Sequence, residues 1–529
     1  MKAQLVILDF GSQYTQLIAR TVRELGVYCE IVPGTSKAEK VLASSPSALI
    51  LSGGPSSVSS ENSLRADQEV LRSGLPILGV CYGMQLLVDE FGGKVGGWAR
   101  SAAGDETKSG QSSGDGIREF GPAQVKVLNN EGVFSAFKPG EDFTAWMSHG
   151  DKVLELGEGM EVAAKTDSCP IAGFVAPTKK LFGVQFHPEV HHTPRGKDLF
   201  SKFLFECAGL EKDWDASGFI EETVARIAAE VPEGNVVCGL SGGVDSTVAA
   251  KLVHEAIGDR LYCIFVDNGL LRADEAEEVM EDMQSLGLQV KKVDASKEFL
   301  SELAGVTDPE KKRKIIGRVF IEVFEAEANS IQNVDYLVQG TLYPDVIESV
   351  SVVGKSATIK SHHNVGGLID NMKLKLIEPL RELFKDEVRE IGRRLEVPER
   401  LVMRQPFPGP GLAVRCLGDL KPERLATLRT ADKIVREEIH KAGLNNDIWQ
   451  FFGVLLPVFS VGVMGDGRTY EETLAIRAIT SRDGMTADWY YFPEDLLRRM
   501  SSRIVNETEG VNRVVLDVST KPPATIEWE

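Results

Sequence analysis

Residues 76–93 read PILGVCYGMQLLVDEFGG, and this stretch decides the local fold around a single cysteine. The run PILGV is typical of a buried strand, and the amphipathic segment after it ends at Gly92 and Gly93, as helices commonly do. Cys81 therefore occupies a sharp strand-to-helix turn, the geometry of a nucleophile elbow with sulfur in place of a serine hydroxyl. The adjacent helix N-terminus favours a thiolate there. A lone cysteine after an apolar strand is more often a small buried residue, so the rest of the chain must decide.

Short β-rich runs alternate with amphipathic helical stretches on both sides of this turn. An early block contains LVILDF, YTQLIARTVRELG, CEIVP and ALILSGGP, and a later block contains NVVCGL, LYCIFVDNG, LQVKKVD and VDYLVQG. This alternation predicts an α/β protein in which two consecutive domains have largely parallel sheets flanked by helices. The periodicity changes after RQPFPGPGLAVR, where we expect a smaller α+β C-terminal domain. We place the three domains at residues 1–206, 207–404 and 405–529.

Length and charge limit the classes of function. The 529 residues are enough for three to four domains of about 150 residues, and 43% of them are hydrophobic, which supplies each domain with a core. The net charge of −19 argues against a sequence-independent binder of nucleic acid or of anionic membranes. A local basic pocket for a small phosphorylated ligand stays open. The Ser/Gly-rich stretch between Ala99 and Gly121 predicts a surface loop, to which we assign no function.

The cysteines and the N-terminus indicate the compartment. Seven cysteines are scattered without a CxxC pair, which is typical of a reduced, cytosolic chain without a structural zinc. The N-terminal sequence MKAQLVILDFGSQ has too short an apolar run for a signal peptide, and no other stretch has the roughly 20 apolar residues of a membrane helix. We therefore expect a soluble protein of the cytosol.

Three further segments give Cys81 a catalytic context. The strand in LFGVQFHPEV ends at His187 and Glu189, and a spacing of two in extended chain puts imidazole and carboxylate on the same side. Glu189 can then hold the ring while His187 takes and returns a proton. Gly53 and Gly54 follow a third strand, where their backbone N–H groups could join that of Tyr82 around an oxyanion.

These segments resemble the class I glutamine amidotransferases over residues 3–206, through GVCYGMQ and HPE. The resemblance implies that Cys81 attacks the side-chain amide of glutamine, forms a glutamyl thioester and releases ammonia, with help from His187. It also implies that Gln85 helps to bind glutamine, with an ordinary helix-surface glutamine as the alternative. The segment WMSHGDKV resembles the loop that lines the same pocket. His149 within it is a weaker catalytic candidate than His187.

A second site is encoded by VVCGLSGGVDSTVAAKLVHEAI at residues 236–257. Glycines let backbone N–H groups approach a polyanion, hydroxyls donate further hydrogen bonds, and a helix N-terminus adds positive potential. The lysine of a Walker loop is missing, which disfavours transfer of the γ-phosphate. The loop is formed by six residues that we predict to bind ATP: Ser241, Gly242, Gly243, Val244, Asp245 and Ser246.

This loop resembles the pyrophosphate loop of N-type ATP pyrophosphatases, which split ATP between the α and β phosphates to adenylate an oxygen. Asp245 is our predicted ligand for Mg²⁺ on the pyrophosphate, since Mg²⁺ commonly takes one carboxylate together with phosphate oxygens and water. We expect no organic prosthetic group. The next strand ends in FVDNGLLR, where residues 267–269 could border the nucleotide and Arg272 could meet a substrate phosphate or base edge.

Together the two sites imply amide-nitrogen transfer: one releases ammonia, and the other activates an oxygen as a leaving group. Across the chain, blocks such as KRKIIGRVF, QGTLYPDVIES, SVGVMGDGR and KPPATIEWE resemble the glutamine-hydrolysing GMP synthetase family. That family aminates xanthosine 5′-monophosphate (XMP) at purine C2 through an O2-adenylyl intermediate, with AMP and pyrophosphate as by-products. The resemblance implies the last step of de novo guanine nucleotide synthesis, catalysed by a ligase that forms C–N bonds. The alternative is glutamine-dependent amination of a different adenylated acceptor.

The resemblance also assigns residues and a partner. Lys521 and Glu527 would contact XMP, as phosphate and purine ligands respectively, with Gln450 and Arg272 as further members of that pocket. The C-terminal domain would mediate a homodimer. The segment PFPGPG at residues 406–411 would form a rigid wall near the nucleotide, and Lys355 and Lys360 would flank a lid over ATP. We expect no nucleic-acid or membrane partner beyond the substrates glutamine, ATP and XMP.

Two features depart from the family pattern. Gln405 stands where the family usually has a histidine before PFPGPG, and the loop around residues 108–116 is longer than the family needs. Neither change touches the cysteine site or the pyrophosphate loop. A non-catalytic nucleotide sensor with the same fold is a further alternative, which the complete set of Cys81, His187 and Glu189 disfavours.

Overall fold

A computed structural model describes residues 3–60, 63–97, 119–349, 374–465, 467–481 and 486–529. The chain divides into two compact units: the first comprises residues 1–215 and a short later segment, 347–355, and the second comprises the rest of the chain from Ala216. Most of the Ser/Gly-rich stretch, and both lysines of the expected ATP lid, Lys355 and Lys360, lie outside the described residues. Within the described ranges, no helix combines the length and apolarity that crossing a membrane requires.

The first unit is built on a sheet that has nine strands within the described residues, in the order β2-β1-β3-β4-β11-β10-β9-β6-β7. The first five strands of that order are parallel, and the remaining pairings are antiparallel. A separate antiparallel pair joins β5 and β8. The strands are β1 (Leu5–Asp9), β2 (Cys29–Pro33), β3 (Ala48–Leu51), β4 (Ile77–Val80), β5 (Lys94–Gly97), β6 (Glu119–Val127), β7 (Asp142–His149), β8 (Asp151–Glu155), β9 (Glu161–Lys165), β10 (Gly173–Ala176) and β11 (Leu181–Val184).

Helices cover the parallel part of this sheet, so strands β3, β4 and β11 are buried along their whole length. The helices of this unit are α1 (Thr15–Glu24), α2 (Ala38–Val41), α3 (Gln68–Leu71), α4 (Tyr82–Glu90) and α5 (Gly196–Ser201). Because parallel strands point the same way, the segments that follow β3, β4 and β11 emerge at one edge of the sheet. This edge carries the glycine pair, the cysteine turn and the histidine that the sequence singled out.

The second unit begins with a five-stranded parallel sheet in the order β14-β13-β12-β15-β16. Its strands are β12 (Asn235–Leu240), β13 (Leu261–Asp267), β14 (Val290–Asp294), β15 (Val334–Val338) and β16 (Lys375–Ile377). Chain order reverses between β12 and β15, and parallel α/β sheets bind ligands in the crevice at such a switch point. The glycine-rich loop follows β12 and therefore opens onto this crevice.

Helices pack around this sheet and lead into the C-terminal part of the unit. They are α6 (Ala216–Glu230), α7 (Val244–Ile257), α8 (Glu275–Ser285), α9 (Ser296–Leu303), α10 (Pro309–Asn329), α11 (Tyr343–Ser349), α12 (Lys385–Arg394), α13 (Glu399–Val402), α14 (Pro422–Lys441) and α15 (Glu494–Glu507). Helix α10 begins with a proline, and the carboxylate of Asp308 caps its first turn by accepting from the N–H of Lys311.

The C-terminal part contains a long antiparallel hairpin, against which α14 and α15 pack. The hairpin is formed by β17 (Gln450–Met464) and β18 (Gly467–Thr480), and two further strands pair with β18, namely β19 (Asp488–Trp489) and β20 (Val511–Asp517). One buried hydrophobic cluster runs from Val237 and Ile264 in the parallel sheet to Leu428 and Leu474 in this part. The predicted class is confirmed: two parallel-rich α/β sheets flanked by helices are followed by a smaller α+β region.

Candidate active sites

Cys81 sits on a strained turn between β4 and α4. Its backbone has φ 52° and ψ −105°, a left-handed conformation that costs a residue with a side chain about 1–3 kcal/mol. The turn is held by neighbours on both sides, since the N–H of Cys81 donates to Val184 O at 2.7 Å and its carbonyl begins α4 by accepting from Gln85. Cys81 is only 5% exposed, yet its sulfur lies among polar groups instead of within an apolar core.

The expected imidazole and carboxylate lie beside this thiol. His187 Nδ1 is 2.7 Å from Glu189 Oε1, both side chains are buried, and the sulfur of Cys81 forms a hydrogen bond with the ring. Burial by itself lowers the pKa of His187, but the charge of Glu189 and the contact with Cys81 outweigh it and raise that pKa well above its usual value. The carboxylate and the sulfur on either side of the ring therefore both favour its charged form.

Backbone N–H groups converge on the same place. A Cβ atom on Gly54 would lie 2.9 Å from Phe10 O and 3.3 Å from Tyr82 Cγ, so only glycine lets these segments approach so closely. Among the described residues, the N–H groups of Gly53, Gly54 and Tyr82 donate to no protein acceptor. They are thus free to donate to a ligand atom next to Cys81.

Gln85 lies in a buried network behind the thiol. Its Nε2 donates to Asp151 O at 2.8 Å and to Gln185 Oε1 at 3.2 Å, while Gln185 Nε2 lies 3.7 Å from the sulfur of Cys81. Both amide hydrogens of Gln85 are therefore engaged within the chain, which leaves only its oxygen for a ligand. Gln185 is fully buried, and no motif in the sequence indicated it.

His149 faces away from the thiol, towards a different carboxylate. Its Nε2 lies 3.3 Å from Glu119 Oε2, and its Nδ1 donates to Asp151 O at 3.0 Å. Cys169 completes a group whose potential metal-ligand atoms all lie within 4.8 Å of one another. Burial and the charge of Glu119 raise the pKa of the Cys169 thiol to about 12, and the thiol points at Ile171 O, 3.4 Å away. The geometry is that of a contact between a histidine and a carboxylate, beside a neutral thiol.

The glycine-rich loop is shaped by its own serines. Ser241 N–H donates to Ser246 Oγ at 3.2 Å, and Gly243 N–H donates to Ser241 Oγ at 3.3 Å. In the described part of the chain, the N–H groups of Gly242, Val244, Asp245 and Ser246 have no protein acceptor. The side chain of Val244 is buried, so only its backbone can serve a ligand. The loop therefore offers a ring of donors at the N-terminus of α7, which suits a polyanion.

Asp245 has one engaged and one free carboxylate oxygen. Oδ2 accepts from Lys385 Nζ at 2.5 Å, whereas Oδ1 is buried without a hydrogen-bond partner. The backbone of Gly340, just after β15, approaches so closely that a Cβ there would lie 3.3 Å from the carbonyl carbon of Asp245. Asp245 thus sits in the crevice where the strand order reverses.

A third group of polar side chains is buried in the second unit. Gln450 Nε2 donates to Glu527 Oε1 at 3.0 Å, and Arg415 forms a bidentate pair with the same carboxylate at 2.7 and 2.9 Å. The ring of Phe407 lies under the guanidinium groups of both Arg272 and Arg415, 4.6 and 5.1 Å from its centroid. Three of the six guanidinium nitrogens of these arginines are buried without a hydrogen-bond acceptor. These nitrogens can donate to a ligand that is rich in acceptors.

Known protein families match the chain in three consecutive parts. The class-I glutamine amidotransferase profile matches residues 6–207, the NAD synthase profile residues 215–317, and the GMP synthase C terminal domain profile residues 437–528. The glutamine-hydrolysing GMP synthase of Chlorobaculum tepidum is 56% identical over 99% of this chain and 98% of its own length. Those of Chlorobium luteolum and Maridesulfovibrio salexigens are 55% and 53% identical over 99% of both chains.

The chain belongs to the glutamine-hydrolysing GMP synthase family. The resemblance found in the sequence is thereby confirmed. The NAD synthase profile covers the segment that carries the loop at residues 241–246. The relatives that match from end to end are GMP synthases. The NAD synthase profile therefore indicates only that residues 215–317 share a nucleotide-binding fold with that family.

The structure places the remaining predicted residues of this family pattern as follows. Arg272, Gln450 and Glu527 lie in one cluster, whereas Lys521 is positioned by its backbone, which exchanges two hydrogen bonds with Ala487. Gln405 anchors the start of β17: its amide donates to Ile448 O and accepts from the N–H of Phe451. It therefore has a structural contact where the family usually has a histidine.

Three site residues of this family member escaped sequence reasoning. Gln185, Lys385 and Arg415 contact Cys81, Asp245 and Glu527 respectively, across at least 100 positions of chain. A buried basic side chain such as Arg415 carries no periodic signal, and nothing local distinguishes it from a solvated arginine. Only the tertiary contacts identify these partners.

The raised pKa of His187 yields a prediction for Glu189→Gln. Removing the carboxylate charge leaves burial as the main influence, so the pKa of His187 falls and the imidazolium is lost at lower pH than in the wild type. NMR titration of the labelled ring measures this shift. The control is Glu141→Gln, because Glu141 pairs with Arg195 at the surface and leaves the His187 pKa unchanged. An unshifted His187 in Glu189→Gln contradicts the assignment.

Proposed function

We propose that this chain forms GMP from XMP, ATP and glutamine, with Cys81 at the glutaminase site and residues 241–246 at the ATP site. The observation that carries the proposal is the presence of both sites in one chain that aligns from end to end with GMP synthases. One site produces a nitrogen nucleophile, and the other produces the leaving group that this nucleophile displaces. Hydrolysis of glutamine alone would not need the ATP site, and adenylation alone would not need the glutaminase site.

In the proposed glutaminase reaction, Cys81 gives its proton to His187 as its sulfur attacks the side-chain carbonyl carbon of glutamine. The N–H groups of Gly54 and Tyr82 stabilise the negative oxygen, and His187 gives its proton to the departing nitrogen, which leaves as ammonia. His187 then takes a proton from water, and the resulting hydroxide hydrolyses the thioester to glutamate and free Cys81. Glu189 keeps the ring oriented and stabilises its charged form.

In the proposed adenylation, residues 241–246 hold the β and γ phosphates of ATP while O2 of XMP attacks the α phosphorus. The O2–P bond forms, the bond between the α phosphorus and its bridging oxygen breaks, and pyrophosphate leaves. Mg²⁺ fits this site because Asp245 Oδ1 is a buried carboxylate oxygen without a partner. When bound, the ion would supply positive charge to the pyrophosphate. Lys385, which contacts the other oxygen of Asp245, holds that carboxylate in place.

We assign the buried arginine cluster to XMP. Burial lowers the pKa of Arg272 to about 10, which still leaves it charged at neutral pH, and Arg272 and Arg415 both have guanidinium nitrogens without acceptors. Glu527 and Gln450 offer the acceptors and donors that a purine edge requires, and Lys521 offers a charge for the phosphate. The nitrogen of ammonia attacks purine C2, and AMP leaves with the O2 oxygen. Because ammonium has no lone pair, ammonia must reach this site without equilibrating with bulk water.

The finer assignments belong to the same proposal. We assign glutaminase activity to residues 1–206, adenylation to 207–404, and XMP binding and dimerisation to 405–529. We also propose a cytosolic location, where buried free thiols such as Cys238 and Cys263 stay reduced. Dimerisation is supported by the distal part of the β17–β18 hairpin, where Phe459, Val461 and Val463 alternate onto one exposed face.

The central test uses Cys81→Ala. This variant loses glutamine-driven GMP formation by at least about 10⁴-fold, because no other group can form the thioester, and keeps synthesis from added ammonium salts. HPLC of GMP and AMP in mixtures with Mg²⁺, ATP and XMP measures both. Cys207→Ala, which changes another thiol of the first unit, keeps both activities. Loss of both in Cys81→Ala refutes the division into two sites, and amination of nicotinic acid adenine dinucleotide instead of XMP favours the alternative acceptor.

The ATP site is tested by Asp245→Asn, which keeps the side-chain volume and removes the charge. We expect XMP-dependent pyrophosphate release, with ammonium as nitrogen donor, to fall by about 100-fold, since a metal-holding carboxylate is lost. Glutaminase activity stays intact. Asp274→Asn is the control, because Asp274 pairs with Lys433 at the surface. Wild-type pyrophosphate release in Asp245→Asn excludes the proposed role.

The dimer is tested by the double substitution Val461→Glu with Val463→Glu. Charges on the exposed apolar face oppose its burial against a second copy, so the variant is a monomer in light scattering coupled to size-exclusion chromatography while the wild type is a dimer. Leu154→Glu, an equally exposed apolar position in the first unit, stays dimeric. A dimeric double variant places the interface elsewhere.

A further inference from the structure

Arg404 connects the pyrophosphate loop to a carboxylate on helix α8. Its Nη1 donates to Gly242 O at 2.6 Å, and its Nη2 pairs with Glu275 Oε1. The side chain is mostly buried, with 18% of its surface exposed, and that of Glu275 is 4% exposed. This ion pair is therefore shielded from solvent and directional, unlike the surface pairs that contribute little.

The contact with Gly242 controls the direction of a loop donor. Gly242 has φ +72°, a conformation that glycine adopts without strain, and its carbonyl is aimed at Arg404. Because the peptide group is planar, holding that carbonyl also orients the following N–H, that of Gly243, which donates to Ser241 Oγ within the loop. Arg404 thus supports the shape of the loop from outside, without needing to touch ATP.

Glu275 carries the connection onward to the proposed XMP pocket. Its second oxygen accepts from the backbone N–H of Arg272 at 2.8 Å. Arg272 in turn lies over Phe407, and its guanidinium has nitrogens without acceptors. A continuous series of hydrogen bonds therefore runs from the carbonyl of Gly242 through Arg404 and Glu275 to Arg272.

We propose that Arg404 and Glu275 are positioning residues that couple the binding of ATP to the binding of XMP. The proposal rests on the function proposed above. A ligand that orders Arg272 also orders Glu275, Arg404 and the Gly242 peptide, so the second substrate loses less conformational entropy on binding. Coupling of this kind is reciprocal: XMP tightens ATP by the same factor as ATP tightens XMP.

The test measures this coupling directly. Isothermal titration calorimetry measures the affinity for XMP with and without Mg²⁺ and α,β-methylene ATP, an analogue that cannot transfer its adenylyl group to XMP. The ratio of the two affinities is the coupling factor of each variant. We expect about tenfold coupling in the wild type, within the usual range for linked sites. Arg404→Gln and Glu275→Gln reduce it to less than twofold and raise the KM for ATP in ammonium-driven synthesis, with the affinity for XMP alone within threefold of wild type. The double variant is no worse than either single one.

A matched control lies close by in the chain. Arg400 on α13, the helix just before Arg404, donates to Asp282 Oδ1 on α8 at 2.6 Å, an ion pair that reaches the same helix α8 and contacts neither Gly242 nor Arg272. Arg400→Gln therefore keeps the coupling. The inference is overturned if both variants keep wild-type coupling, if Arg400→Gln loses it equally, or if the variants lose affinity for XMP alone. A wild type that binds neither ligand overturns the proposed function itself, whereas one that binds both without coupling overturns only this inference.

Discussion

Parallel strand pairing is the constraint on which both proposed catalytic sites depend. Register between β3, β4 and β11 brings the ends of three strands to one edge, where the glycine pair, Cys81 and His187 meet. In the second unit, β12 pairs with both β13 and β15, and the strand order reverses there. The glycine-rich loop that follows β12 therefore lies at this switch point. In each case a helix begins directly after the strand, so backbone donors face the ligand without any side-chain charge.

Buried polar atoms determine what these edges can do. Around Cys81 the groups mostly bond to one another, through the pair of His187 and Glu189 and the amides of Gln85 and Gln185, with Glu189 Oε2 left without a hydrogen-bond partner. This is the expected condition of a site that is organised before substrate arrives. In the second unit, Asp245, Arg272 and Arg415 have the ionic partners Lys385, Asp432 and Glu527, and each also keeps a buried atom without a hydrogen-bond partner. Buried polar atoms without a hydrogen bond are costly, which is why we assign ligands to them.

The sequence located the reacting groups more completely than their supports. Each of these groups follows an apolar strand, and that position can be recognised in the sequence alone. They are Cys81, His187, Glu189 and residues 241–246. Gln185, Lys385 and Arg404 are equally close to the chemistry, but they meet their partners across 104, 140 and 162 positions. His149 shows the converse: its neighbourhood was inferred correctly as a segment beside the thiol, while its ring turns to Glu119.

By itself the sequence determined the α/β class, the two chemically distinct turns and the family, because these depend on local periodicity and on residue types at fixed short spacings. Only the tertiary structure decided which distant side chains hold those turns in place, which guanidinium groups are buried together, and which carboxylate oxygen is left for a cation. The physical reason is that burial and hydrogen-bond satisfaction are properties of the packed interior. Residues from remote parts of the chain fill that interior, and no local pattern records their meeting.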